Sequence, residues 1–450
     1  MFEKHLFPGG IHPVEGPNGK SLNSLNPVQT LDPPPRVIIP LQQHIGAPAK
    51  AIVSAGEHVK MGQKIGEATG VVSAPVHASV SGTVFAVQDA MLANGQMVSS
   101  VIIDNDYQEE WVELTPCDHP ETISPEEFRN IIREAGIVGL GGATFPTAVK
   151  FNPKQGVKIE KLIINGAECE PYLTADHRLM LEKAADIIDG IRLTMLAMDI
   201  DQALIGIEDN KTDAIDIMKA TAENADGIDV VGLPTRYPQG GEKQLVYALT
   251  KRQVPNGGLP LDVGVVVCNV GTMYSIDRAI RQGMPLIERI VSVGGLVSNP
   301  GNFLVRIGTP IDHLIDACGK LQNHVRQFIY GGPMMGLAIA RFDIPVTKGC
   351  SGLVALGNEA MEPKESPCIR CGACREVCPM KLFPSRIDAF TRHDRLDEAE
   401  ANGVMNCIEC GCCSFICPAK RSLTQSMRTA KNAIQRKRRR ESAKTARKEV

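Results

Sequence analysis

Two twelve-residue stretches, CIRCGACREVCP at 368–379 and CIECGCCSFICP at 407–418, carry cysteines at the same four positions. Each leaves gaps of two, two and three residues, and a proline follows the last cysteine. Gly372 and Gly411 stand where the loop must turn tightly. Four thiolates hold a [4Fe–4S] cluster, and in two-cluster ferredoxins the fourth comes from the other motif. The spacing therefore predicts one cluster on Cys368, Cys371, Cys374 and Cys417, and a second on Cys407, Cys410, Cys413 and Cys378. A zinc site needs four ligands and no third step, so it fits the pattern poorly. Cys412, the ninth cysteine of the region, fits no ligand slot and reads as a bystander. The residues between the motifs, 379–406, include SRIDAFTRHD and RLDEAEANG, which predict helices and an α-helical type of two-cluster domain. Clusters pass single electrons and do no chemistry on organic substrates alone. Something else in the chain must supply or take those electrons.

The other five cysteines (Cys117, Cys169, Cys268, Cys318, Cys350) are scattered, which suits a reducing compartment rather than a disulfide framework. The N-terminus lacks the apolar core of a signal peptide. The longest apolar runs, such as VGVVVCNV at 263–270, fall short of the ~18 residues of a membrane span. These features predict a soluble, cytoplasmic protein. From Arg428 to Val450 ten Lys or Arg face two Glu, so this tail carries +8; with a net charge of −3 overall, the rest carries −11. An acidic body with a basic tail suggests that the tail meets something anionic, such as lipid headgroups or an acidic partner, or is simply solvated. The acidic body and an aromatic content of 4% argue against nucleic acid. The ten histidines show no metal-ligand spacing.

The chain reads as a multidomain α/β protein. Residues 1–110 comprise a Pro- and Gly-rich lead-in to about residue 35 and a module of short strands (RVIIPL, AIVSAG, TVFAVQ, SSVIID). Residues 111–287 alternate strand and helix, which implies a parallel sheet covered by helices. Its strands are predicted at 161–166, 202–207, 229–234 and 264–270, with one long helix at about 176–198. A helix at 124–136 is punctuated by Ser124 as N-cap, Pro125, Glu127 of a capping box, and Gly136. Residues 288–350 hold two short strands joined around Asn299–Pro300–Gly301 and a helix. The cluster motifs fall in 351–427 and the basic tail in 428–450.

Two segments of the α/β region invite a ligand. In GIVGLGGATFPTAVKF, 136–151, Gly139, Gly141 and Gly142 allow close approach of the backbone to a phosphate. It is neither a dinucleotide fingerprint nor a Walker loop, and an ordinary flexible loop fits as well. In NGAECEPYLTADHR, 165–178, Asn165, Glu168 and Glu170 follow a strand, where open α/β sheets bind ligands; a solvated loop is the alternative.

Longer stretches of the chain resemble known families. GEHVKMGQKIGEATGVVSAPVHASVSGTVFAV, 56–87, resembles the barrel-sandwich hybrid fold of biotinyl and lipoyl carrier domains, but ATGV at 68–71 lacks the carrier lysine, so the module reads as structural. Residues 289–319 resemble the soluble-ligand-binding β-grasp (SLBB) module. GLGGATFPTAVKF, NGAECEP, YPQGGEKQL (237–245) and CNVGTMYSI (268–276) follow the order seen in the flavin- and NADH-binding subunit of respiratory complex I. Ala167 replaces that family's aspartate, Cys169 its serine and Lys243 the second glutamate of its GEE segment. FPGGIHP at 7–13, the front module and the doubled motif resemble more closely the C subunits of Rnf complexes, membrane-bound ferredoxin–NAD oxidoreductases.

The resemblance implies FMN in a Rossmann-like domain, with NAD(H) stacked against it. It implies Gly139, Gly141, Gly142 and Thr144 near phosphate, with Phe145 and Lys150 on the dinucleotide. Asn165, Glu168 and Glu170 would face the flavin and nicotinamide, the two glutamates catalytically. Glu242 would lie over the isoalloxazine region and Asn269 near the ribityl phosphate. It further implies a peripheral subunit on the cytoplasmic side of the membrane, partnered by integral membrane subunits and a ferredoxin-type subunit. A nicotinamide exchanges two electrons and a cluster one, so a flavin belongs between them. Two rivals remain: the flavin subunit of a soluble electron-bifurcating hydrogenase or formate dehydrogenase, against which the front module speaks, and a non-catalytic cluster-bearing scaffold, for which Ala167 and Lys243 speak.

Overall fold

The computed structural model describes residues 5–14, 19–153, 156–319, 321–358 and 364–446. The predicted lead-in falls partly outside these, as do the last four residues of the basic tail.

The central domain is a four-stranded parallel sheet in the spatial order Ile228–Leu233, Ala203–Glu208, Lys161–Asn165, Val265–Asn269. Three of its strands are runs rich in Ile, Val and Leu buried on both faces, as a sheet covered on two sides requires, while the edge strand Ile228–Leu233 is half-buried. The chain steps outward twice from Lys161–Asn165 and then returns to that strand's other edge. The reversal leaves a crevice beyond the carboxyl ends of Lys161–Asn165 and Val265–Asn269, whose last residues, Asn165 and Asn269, are direct register partners. The long helix predicted over 176–198 is two: Ala175–Glu182 and Ala184–Met198 meet at Lys183, which leaves helical geometry. Helix Pro125–Glu134 begins as expected, with Ser124 Oγ accepting from the Glu127 N–H at 3.2 Å.

The front module pairs Arg36–Pro40, Met97–Asn105, Gly82–Met91 and His58–Val59 in one sheet and Lys50–Ala51, Lys64–Glu67 and Val76–His77 in a second. The two enclose a core of Val37, Ile39, Val59, Ile65, Val84 and Ile103. The predicted strand AIVSAG shrinks to Lys50–Ala51.

The β-grasp sheet extends beyond its expected limits. Glu288–Gly295 and Gly301–Arg306 form the predicted hairpin, followed by helix Ile311–Ala317. Gly352–Leu356, assigned by the sequence to the cluster domain, is instead the strand between Glu288–Gly295 and Gln327–Tyr330. Gln29–Thr30 adds to the other edge, so this part of the lead-in is anchored.

In the cluster domain, Pro384–Arg392 and Leu396–Ala401 are the helices expected between the motifs. The basic tail continues a single helix, Leu423–Ala446. Its first half buries Met427, Ala430 and Ile434 against Ile387, Ala399 and Val404, so the domain does not end at 427. In its second half Lys437 reaches Asp397 at 2.7 Å and Arg438 pairs with Glu400.

Gly190 lets helices Ala184–Met198 and Val270–Gln282 approach closely. A Cβ there would lie 2.2 Å from the Met273 carbonyl oxygen. Gly190→Ala is expected to destabilise the α/β domain by about 1–3 kcal/mol through overpacking. A lowered thermal midpoint with clusters retained checks this.

Candidate functional site

The switch point is built from backbone turns and two asparagines. Asn269 caps helix Val270–Gln282, its Oδ1 accepting from the Gly271 N–H at 2.8 Å. Its Nδ2 donates to Asp176 Oδ2 at 2.6 Å. Asn165 Nδ2 donates to the Gly240 carbonyl at 2.9 Å, which draws the YPQGGEK segment over the crevice. The Gly-rich loop lies against Asn269: a Cβ on Gly141 would stand 2.7 Å from Asn269 Nδ2. The loop is closed at its base by the Gly139 N–H on the Phe145 carbonyl at 2.9 Å. Thr144 sits in left-handed backbone at φ +50°, and Gly142 at +146° opens on free space. Lys150 Nζ donates to the Val267 carbonyl at 2.8 Å and pairs with Glu242 at 3.5 Å. Phe151, the next residue, packs edge-on against Phe128 of helix Pro125–Glu134, which fixes this turn.

The NGAECEP segment is pinned from several sides. Glu168, at φ +46°, accepts from the Asp176 and His177 N–H groups at 2.8 and 3.1 Å, capping helix Ala175–Glu182. Burial raises the pKa of both Glu168 and Asp176, and the Asp176 charge raises that of Glu168 further. Lys20 donates to the Glu168 carbonyl. Lys211, buried and paired with Glu208 at 3.2 Å, donates to the Ala167 carbonyl at 2.7 Å. Neither lysine carries a sequence signal.

Glu170 faces a different way from Glu168. Its carboxylate accepts from the Met334 and Met335 N–H groups at 3.0 and 2.8 Å, in a β-grasp loop. Burial pushes its pKa up to about 7, against the two hydrogen bonds. The same loop touches the second cysteine motif, for a Cβ on Gly411 would lie 2.9 Å from the Met334 carbonyl oxygen. Cys169 Sγ accepts from the Gly240 N–H at 3.3 Å, and burial pushes the thiol up to about 12. Cys169 packs beside Ile11, Tyr237, Cys410 and Cys412. The segment that follows strand Lys161–Asn165 thus abuts the cysteine domain.

The two cysteine motifs repeat each other in backbone as well as in sequence. Arg370 and Glu409 stand at φ +59° and +57°, Gly372 and Gly411 both at +82°, Lys381 and Lys420 at +55° and +53°. One cavity is lined by Cys378, Cys407, Cys410 and Cys413, with Cys412 among them. The other is lined by Cys368, Cys371, Cys374 and Cys417. Among the described residues no group of three or more His, Cys, Asp or Glu side chains is placed to hold a single metal ion. Backbone N–H groups of Glu409 and Leu382 reach Cys407 and Cys378 Sγ at 3.3 Å each. Four thiols about a cavity with donors aimed at sulfur fit a [4Fe–4S] cluster. Cys412 also borders the first of these cavities: its thiol lies beside that of Cys410 and reaches the Tyr237 carbonyl oxygen at 3.9 Å.

The crevice also fits a cofactor. Its glycine loop is exposed, and Gln239 in the covering segment is fully buried with neither amide atom partnered among the described residues. Leaving such a group bare costs about 1–3 kcal/mol per atom, so a bound partner would relieve it.

Comparison with known proteins agrees module by module. Residues 5–108 match the RnfC barrel sandwich hybrid domain, 132–278 the Nuo51 FMN-binding domain, 290–338 the SLBB domain and 360–418 the 4Fe-4S dicluster domain. A Clostridium ljungdahlii protein, named as the C subunit of a proton-translocating ferredoxin:NAD(+) oxidoreductase complex, is 46% identical, over 95% of this chain and 93% of its own. The sodium-translocating counterpart from Acetobacterium woodii is 45% identical over 96% and 98%. The chain belongs to the RnfC family. A chain of the NAD(+)-reducing [NiFe]-hydrogenase superposes with a TM-score of 0.50 at 16% identity, covering 71% of this chain and 63% of that one, a likeness of fold alone.

Two expectations follow from this packing. Lys211→Met leaves Glu208 buried and unpaired, and should cost about 3–5 kcal/mol in chemical denaturation. Glu170 is raised from an ordinary 4.5 to about 7, so its contribution to stability is full below about 4.5 and is lost as pH rises through about 7. Glu170→Gln stays neutral. Its stability relative to the parent should therefore rise between about pH 5 and pH 8, read from denaturant midpoints.

Proposed function

We propose that this chain is the NAD(H)-interacting electron-transfer subunit of a membrane-bound, ion-translocating ferredoxin:NAD oxidoreductase complex. The observation that carries the proposal is the packed junction of Cys169 and Tyr237 with Cys410 and Cys412. It joins the crevice of a flavin-type domain directly to a cluster site. FMN, when bound, supplies the exchange between a nicotinamide's two electrons and the single electrons of the clusters.

The chain's own residues divide the work. Gly139, Gly141, Gly142 and Thr144 present backbone to a phosphate, with Asn269 behind them. Lys150, Phe145 and Glu242 flank the dinucleotide. Asn165 holds the covering segment closed. Glu168, locked onto a helix terminus, shapes the floor. Glu170 holds a proton near neutral pH at the side facing the cysteines. Cys378, Cys407, Cys410 and Cys413 hold the inner cluster, beside the crevice. Cys368, Cys371, Cys374 and Cys417 hold the outer one, and exposure of Cys368 and Cys371 supports its role as the port to partner subunits.

Among the described residues no helix is long and apolar enough to cross a membrane. In this reading ion translocation falls to integral membrane partners, with the chain peripheral on the cytoplasmic face. The exposed Arg436, Arg439 and Arg440 of the last helix suit an anionic surface.

Anaerobic purification should yield about eight irons per chain, bound FMN and NADH-dependent dye reduction. Cys378→Ala should lose about four irons and spare the cluster on Cys368, Cys371 and Cys374. Loss of that outer cluster instead would overturn the crossed ligation. Copurification with integral membrane subunits separates this reading from a soluble bifurcating enzyme.

A further inference from the structure

The segment FPGGIHP, 7–13, lies far in sequence from both halves of the junction it touches. The Ile11 N–H donates to the Tyr237 carbonyl and the Tyr237 N–H to the Ile11 carbonyl, each at 2.8 Å. One residue earlier, the Gly10 N–H donates to the Val377 carbonyl at 2.8 Å. Val377 immediately precedes Cys378. The same short stretch is thus bonded on one side to the α/β domain and on the other to a cysteine motif. Phe7 is buried, with the Arg236 guanidinium 5.7 Å from its ring centre.

Both glycines are required by the space. Gly9 has φ +75°, and a Cβ there would lie 2.7 Å from the Val377 carbonyl oxygen and 2.8 Å from the Cys378 carbonyl carbon. Gly10 has φ +87°, and its Cβ would lie 2.8 Å from the Tyr237 carbonyl oxygen. No other residue type lets the chain pass between two backbones at this distance without displacing one.

We propose that Phe7–Ile11 is a positioning strap. It clamps the motif bearing Cys378 onto Tyr237 and so sets the separation between the crevice and the inner cluster. It makes no contact with the reacting atoms. Tyr237 is the element held: it is buried, its hydroxyl has no partner among the described residues, and it packs between Cys169 and the thiols of Cys410 and Cys412. The consequence for electron passage rests on the function proposed above; the clamp itself does not.

The test uses the full chain with its clusters and FMN. Gly9→Ala and Gly10→Ala are compared with His12→Ala, an exposed neighbour, as control. Phe7→Ala serves as a milder variant should the glycine changes prevent folding. Three quantities are read: iron and FMN content, hydrogen exchange of the Ile11 and Tyr237 amides, and the rate at which NADH reduces the clusters in a single turnover. Electron passage between two centres falls steeply with their separation, with no bond to be formed. The strap variants should keep their iron and FMN, exchange both amides faster, and reduce the clusters several-fold more slowly than the parent. His12→Ala should behave as the parent. Unchanged exchange would refute the clamp. Faster exchange with an unchanged reduction rate would refute its role in setting the separation. If the parent itself shows no reduction by NADH, the function proposed above fails, while the exchange data still decide the clamp.

Discussion

The site depends on one strand pairing: Lys161–Asn165 flanked by Ala203–Glu208 on one edge and by Val265–Asn269 on the other. The two asparagines, Asn165 and Asn269, lie far apart in the chain, and the parallel register sets them side by side. Without that reversal of winding direction there is no crevice, and the Gly-rich loop has nothing to lie against. Buried Ile and Val on both faces supply the energy of the arrangement. The asparagines add no comparable burial; they satisfy the turns that follow each strand.

Around the crevice the structure tolerates a dense set of buried polar groups. Glu168 and Asp176 are neighbours, Lys211 is enclosed with Glu208, and Glu170 is covered by the Met334–Met335 loop. Each is matched by hydrogen-bonding partners, which is the condition for burying such groups without a large penalty. Among the described residues the exceptions include the amide of Gln239 and the hydroxyl of Tyr237. Both belong to the YPQGGEK segment between the crevice and the cysteines, where a cofactor or cluster would supply what the protein does not.

Much of this is legible in the residues. The cysteine spacing marks eight ligand candidates, and the backbone repeats itself wherever the spacing does. The strand–helix alternation locates each strand of the parallel sheet to within about one residue. Prediction is weaker where a partner in space decides. Gly352–Leu356 looks like the start of a linker but completes the β-grasp sheet, because its strand partners lie at 288–295 and 327–330. The tail looks like a solvated charge run, yet Met427, Ala430 and Ile434 at helical spacing bind its first half to the cluster domain. The sequence groups Glu170 with Glu168, and nothing local separates them. Only the fold turns one toward a helix terminus and the other toward the distant Met334–Met335 loop.

Residue type and short spacing point to the chemistry: which side chains are candidates for sulfur-bridged iron, which loop could admit a phosphate, and which family these patterns resemble. Such properties survive without any knowledge of the fold. The tertiary structure decides adjacency. It gathers Cys378 with Cys407, Cys410 and Cys413, sets that group against the crevice and leaves Cys368 and Cys371 at the surface. It threads Gly9 and Gly10 between two backbones. Adjacency of this kind comes from burial and hydrogen bonding among segments distant in the chain, and no local pattern records it.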